Sequence, residues 1–200
     1  MKVKIKKQGK VKNYSLINSW EDVTLEKWLK LIGIKDKTKS KEAEQTIAIL
    51  SDIPKELIKQ LELKDVALIM SKMGELQAQQ DSSLKRVIEI EGKRYGFHPD
   101  LDSITLGEYA DIETFIKNDI EKNLPELMAV LYRPIVQETE DGLYSIEAYD
   151  GDIRIRTELM KKMSSEQVQS ALVFFYSFVR ELSMIMQLSL MKQLKVTKQQ

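Results

Sequence analysis

Val23-Thr24-Leu25-Glu26-Lys27-Trp28 and Ile104-Thr105-Leu106-Gly107-Glu108-Tyr109 share one pattern, and Thr24 and Thr105 stand 81 positions apart. In both, a β-branched residue precedes a threonine able to cap a helix, and an apolar residue follows. Ile47-Ala48-Ile49-Leu50 returns as Met128-Ala129-Val130-Leu131 at the same shift of 81, and so does Tyr14 as Tyr95. A proline, Pro54 or Pro134, comes after each of these second segments. Further on the shift grows to 102, where Glu56-Leu57-Ile58-Lys59-Gln60-Leu61 matches Glu158-Leu159-Met160-Lys161-Lys162-Met163 and Val66 matches Val168. Blocks in one order at two consistent shifts point to a tandem duplication.

Lys2 to Lys6 alternates apolar and charged residues, Gln8-Gly9-Lys10 supplies a turn, and Val11 to Leu16 returns as a hairpin. Thr24 is the expected N-cap of a helix with Leu25, Trp28, Leu29 and Ile32 on one face, and Gly33 its terminator. A polar loop over 35–41 leads to a helix ending at Leu50, a short helix opened by Pro54, and a longer one carrying Val66, Ile69, Met70 and Met73. Arg86 to Ile90, a Glu91-Gly92-Lys93 turn and Arg94 to Phe97 begin the second round. The extra length between the shifts falls at Ile135 to Asp152, whose Leu143 to Tyr149 has the residue types of a strand or small hairpin. The expected fold is α+β and predominantly α-helical, with two tandem modules, each a β-hairpin followed by a small helical bundle. The first covers 1–83, and the second, enlarged by the 135–152 insertion and a long C-terminal helix, covers 84–195. A loose polar tail is expected over 196–200.

Apolar residues make up 42% and charged residues 31% of the 200, the composition of a globular chain. Lys+Arg and Asp+Glu are equal at 31 each, so no global field draws in nucleic acid or an anionic membrane. Lys2, Lys4, Lys6, Lys7, Lys10 and Lys12 form a local exception. Their alternation with Val3 and Ile5 reads as an exposed strand whose charges discourage edge pairing. Cysteine is absent, which excludes disulfides and thiolate metal sites. The N-terminus has no apolar signal region, and the apolar stretch from Ala171 to Val179 meets Arg180 and Glu181, so no targeting or membrane segment is expected.

Candidate chemistry is sparse. His98 is the single histidine, and His98-Pro99-Asp100-Leu101-Asp102 reads as a turn and helix start before it reads as a ligand set. Asp150-Gly151-Asp152 lacks the further oxygen donors of a calcium loop, so it too is expected to be a turn, with Asp152 capping the next helix. Tyr132-Arg133-Pro134 is expected at a helix end, Arg133 complementing the dipole and Tyr132 packing with its hydroxyl wet. No enzyme, metal or cofactor is expected.

The last helix, about Ser164 to Leu194, carries the strongest apolar signal. Leu172, Phe175, Tyr176, Val179, Leu182, Ile185 and Met186 follow helical spacing, while Val173, Phe174, Phe178 and Met184 fill the remaining circumference. Such a helix is either central to a bundle or meets a partner, and methionine surfaces adapt to several partners. The candidate partner-binding residues are therefore Phe174, Phe178, Met184, Met186, Met191, Tyr132 and Arg133.

Leu124 to Pro134, LPELMAVLYRP, resembles a segment of small helical proteins from the structural modules of tailed bacteriophages, including crAss-like and other phages of Bacteroidetes-type hosts. In those proteins a Y-F-x-x-D-L-x-x-I-T-x-G-x-Y stretch tends to precede it. Here the similar stretch runs Tyr95-Gly96-Phe97-His98-Pro99-Asp100-Leu101 and then Ile104-Thr105-Leu106-Gly107-Glu108-Tyr109. Leu172-Val173-Phe174-Phe175 is similar to their downstream aromatic helix, so the likeness spans about residues 86 to 180. It implies a tail assembly chaperone or a minor virion component, made in the cytoplasm of an infected bacterium. Its partners would be phage structural proteins or further copies of itself. A small adaptor or regulator with a basic N-terminal hairpin is the alternative from another class.

Overall fold

A computed structural model describes residues 2–7, 10–35, 38–77 and 83–176, and its fold is α+β with two antiparallel sheets. Strands β1 (Lys2–Lys7) and β2 (Lys10–Ser15) form a two-stranded sheet, with Val3 opposite Tyr14. A 3-10 turn at Trp20–Asp22 leads into α1 (Leu25–Ile32), where the Thr24 hydroxyl accepts from the Lys27 amide at 3.3 Å. Gly33 does end this helix, but in a right-handed conformation at φ −75°. The chain continues through α2 (Lys39–Leu50), the short α3 (Lys55–Ile58) and α4 (Leu63–Gln77). Pro54 is the N-cap of α3 rather than part of its first turn.

Strands β3 (Val87–Ile90) and β4 (Lys93–Phe97) form the second hairpin. Its turn residues Glu91 and Gly92 both have positive φ, as a two-residue hairpin turn matched to strand twist requires. A second 3-10 turn, Leu101–Ser103, precedes α5 (Leu106–Lys117), and α6 (Leu124–Leu131) has a proline in its first turn. Helix α6 does end at Tyr132-Arg133-Pro134, with Tyr132 as its C-cap, its N–H donating to the Met128 carbonyl. The chain passes straight into β5 (Tyr132–Glu138), which pairs with β4, and β6 (Tyr144–Ile146) completes a four-stranded sheet ordered β3-β4-β5-β6. The 135–152 region thus contributes most of a β-hairpin. After it come α7 (Arg154–Met160) and α8, a helix over 165–176. Asp152 is not the cap of α7: that position is Ile153, while the Asp152 carboxylate accepts from the Arg154 amide at 3.4 Å.

Main-chain hydrogen bonds recur at the two sequence shifts. Ile17 N–H donates to the Leu50 carbonyl at 3.2 Å, and His98 N–H donates to the Leu131 carbonyl at 2.7 Å. Leu16 bridges Ser51 as Phe97 pairs with Tyr132. At the shift of 102, Leu61 N–H donates to Ile58 O and Met163 N–H to Met160 O, at 3.1 and 3.0 Å. Helix α4 begins at Leu63 and α8 at 165.

Apolar burial divides into two clusters. One gathers Leu16, Trp20, Ile47, Leu50, Ile58 and Ile69 beneath the first hairpin. The other gathers Phe97, Leu127, Met128, Tyr132, Met160 and Phe175 beneath the second sheet. Helix α1 ties them together: Leu25 belongs to the second cluster, and Trp28 packs against both. The start of α1 is seated on the turn between α7 and α8. Leu25 N–H donates to Met163 O at 2.7 Å, Glu26 N–H to Lys161 O at 3.0 Å, and Ser165 N–H to Val23 O at 2.6 Å. The Ser165 hydroxyl adds a bond to Trp20 O at 3.1 Å.

Candidate functional site

The densest buried chemistry lies where α5 meets the second sheet. Thr105, in extended conformation, opens α5 with a capping box: its amide and hydroxyl donate to Glu108 Oε2 at 2.7 and 2.6 Å, and Glu108 N–H donates back to Thr105 Oγ1 at 3.3 Å. With Oε2 so occupied, Oε1 faces β4 and β5. There it meets Arg133 Nη2 at 2.6 Å and His98 Nε2 at 3.4 Å. Glu108 is 1% exposed and Arg133 4%. The Tyr149 ring lies 5.8 Å from the Arg133 guanidinium carbon, and the Tyr149 hydroxyl donates to Asp111, one helical turn beyond Glu108.

Burial raises the Glu108 pKa, but the hydrogen bonds from Thr105 and the charge of Arg133 outweigh it, so the carboxyl is held below its ordinary value and ionised. Burial pulls His98 down, with Glu108 opposing and Arg133 assisting, so its imidazole is neutral near pH 7. Burial also lowers the Arg133 pKa, with the Glu108 carboxylate opposing. His98 Nδ1 and Arg133 Nε are buried without a hydrogen-bond partner among the described residues. The cluster is an ion pair with an attendant neutral histidine. It braces α5 against β5 and, through Tyr149, against the insertion. The Glu108 carboxylate is hydrogen-bonded by Thr105 through Oε2, ion-paired with Arg133 through Oε1 and shut from solvent.

Each residue singled out from the sequence now has a place. Tyr132 and Arg133 do not form a partner surface, because both are buried: Tyr132 is 0% exposed and Arg133 is locked to Glu108. The Tyr132 hydroxyl is not wet either. It donates to the Lys85 carbonyl at 2.8 Å, and burial raises its pKa strongly. Phe174 sits at the rim of the second core, its ring edge-on to Phe97 at 5.5 Å and 5.9 Å from the Arg86 guanidinium carbon. It remains 36% exposed, between Val173 and the exposed Tyr176. Phe178, Met184, Met186 and Met191 lie outside the described residues. The Glu108–Arg133–His98 contact was not foreseen. Thr105-x-x-Glu108 is legible as a capping box, but nothing local signals its partners on another layer.

The cluster belongs to the C-terminal half alone, since the positions 81 earlier hold Ile17, Lys27 and Asp52. Among the described residues no group of three or more His, Asp or Glu side chains is placed to hold a metal, and no helix is long and apolar enough to cross a membrane. No family model, curated protein or solved structure matches the chain.

Proposed function

We propose that this chain is a non-enzymatic assembly protein of a tailed bacteriophage, built from two copies of one hairpin-and-helices module spanning 1–83 and 84–195. Its first reading is a tail assembly chaperone, acting in the cytoplasm of the infected host. The rival reading is a minor component retained in the tail, connector or capsid. The phage setting comes from the resemblance over residues 86 to 180, and the duplication is supported by the hydrogen bonds that recur at shifts of 81 and 102.

The observation that carries the binding role is the exposed strip of α8. Val173, Phe174 and Tyr176 leave an aromatic and aliphatic surface open at the edge of the second core.

Quantitative mass spectrometry of purified particles separates the two readings. A chaperone is depleted from finished virions, whereas a component is present at a fixed copy number. In either case Phe174→Glu should reduce the yield of infectious particles while leaving the purified protein folded. Unchanged particle assembly after deletion of the gene would sink both.

A further inference from the structure

The start of α1 meets the turn between α7 and α8 head to tail, and the residues matching these two faces include one exposed leucine each, Leu106 and Leu63. Within one chain, the start of α1 (Val23, Leu25, Glu26) is seated on the α7–α8 turn (Lys161, Met163, Ser165). The counterpart of the first face, 81 positions on, is Ile104, Leu106 and Gly107. The counterpart of the second, 102 positions earlier, is Lys59, Leu61 and Leu63. Burial differs sharply between counterparts: Leu25 is 0% exposed but Leu106 is 84%, and Ser165 is buried while Leu63 is 83% exposed.

The grooves tell the same story. Beside the α3–α4 turn an open groove of about 470 Å³ is lined by Val3, Ile5, Leu61, Asp65 and Leu68. The corresponding place in the second half is lined by Val87, Ile88, Ser164 and Gln167, and there Glu21 from the first 3-10 turn forms part of the wall.

We propose that copies of this chain join head to tail, the Leu101–Gly107 segment of one copy seating beside the α3–α4 turn of the next. The contact reproduces between chains the junction already present within each. The inference rests on the two-module reading and makes the partner a second copy of this chain. The match is not identical. Leu63 replaces Ser165, so the hydroxyl bond to a main-chain carbonyl gives way to an apolar contact. A heterologous contact of this kind closes into a ring or extends as a filament, according to the rotation between successive copies.

Sedimentation velocity on the full chain and on Leu63→Glu and Leu106→Glu tests this. Both leucines are exposed, so neither substitution should disturb the fold, which circular dichroism checks. The parent chain should form concentration-dependent oligomers, and each variant alone should be monomeric. An equimolar mixture of the two should stop at a dimer, because each variant retains one intact face. The parent has no cysteine, so Leu63→Cys in one chain and Ile104→Cys in another provide a second readout: a disulfide only between unlike chains. A parent chain that stays monomeric at the highest attainable concentration overturns the assembly and leaves the two-module reading standing. Oligomers indifferent to both glutamates overturn the equivalence of the faces, and with it the proposal.

Discussion

Glu108 Oε1 and Arg133 Nη2 lie 2.6 Å apart in the interior, joining the first turn of α5 to the first residues of β5. Breaking such a pair from one side leaves a buried charge uncompensated, at a cost of about 3–5 kcal/mol. Glu108→Gln is therefore expected to lower the urea midpoint severely. Replacing both residues together, Glu108→Met with Arg133→Met, should cost less than the sum of the singles, because no stranded charge remains. A double-mutant cycle by chemical denaturation measures this. Additive losses would show that the two side chains act independently.

The same cluster makes the protein sensitive to acid. His98 has its pKa depressed by burial, so below the ordinary value of 6.5 the unfolded chain binds a proton that the native chain refuses. The stability this contributes is complete above that value and is lost as pH falls toward the native pKa. Glu108, depressed from 4.5, adds a loss in the same direction at lower pH. Unfolding free energy followed from pH 7 downward should fall first in the histidine range. His98→Gln should flatten that first segment and keep the second. An unchanged first segment would assign it to other groups.

Gly96 permits the close approach of β6 to β4. A methyl group there would stand 2.3 Å from Tyr144 Cε2, and the Tyr144 hydroxyl donates to the Phe97 carbonyl at 2.7 Å. Gly96→Ala should therefore displace the tyrosine and destabilise the fold by about 1–3 kcal/mol, the usual range for overpacking. With Tyr144→Ala already in place the methyl meets no ring, so Gly96→Ala should then cost much less. Equal costs in both backgrounds, read as thermal midpoints, would contradict the contact.

Thr24 and Thr105 each cap a helix but carry different loads. Thr24 satisfies one amide, so Thr24→Ala should cost about 1 kcal/mol. Thr105 also donates two hydrogen bonds to Glu108, one from its hydroxyl. Thr105→Ala should cost more than Thr24→Ala and should flatten the acid limb, since losing the hydroxyl donor lets the Glu108 pKa rise back towards its unfolded value. Parallel denaturation series for the two variants decide it.

Local chemistry made most of the elements legible. Alternation announced both hairpins, threonines at Thr24 and Thr105 announced two helix starts, and Leu143 to Tyr149 announced a strand. Helix and strand periods depend on residues a few positions apart, so they can be read along the chain. Tertiary structure decided the rest. Tyr132-Arg133-Pro134 was legible as the end of a helix, but that it continues at once as a strand was decided by its pairing with Tyr95 to Phe97. His98 and Arg133 looked like turn and surface residues until the packing of α5 on the sheet removed them from water beside Glu108. Leu25 and Leu106 occupy the same place in their blocks, yet one is buried and the other open. That difference depends on which surface lies opposite, and residues far away in sequence supply it.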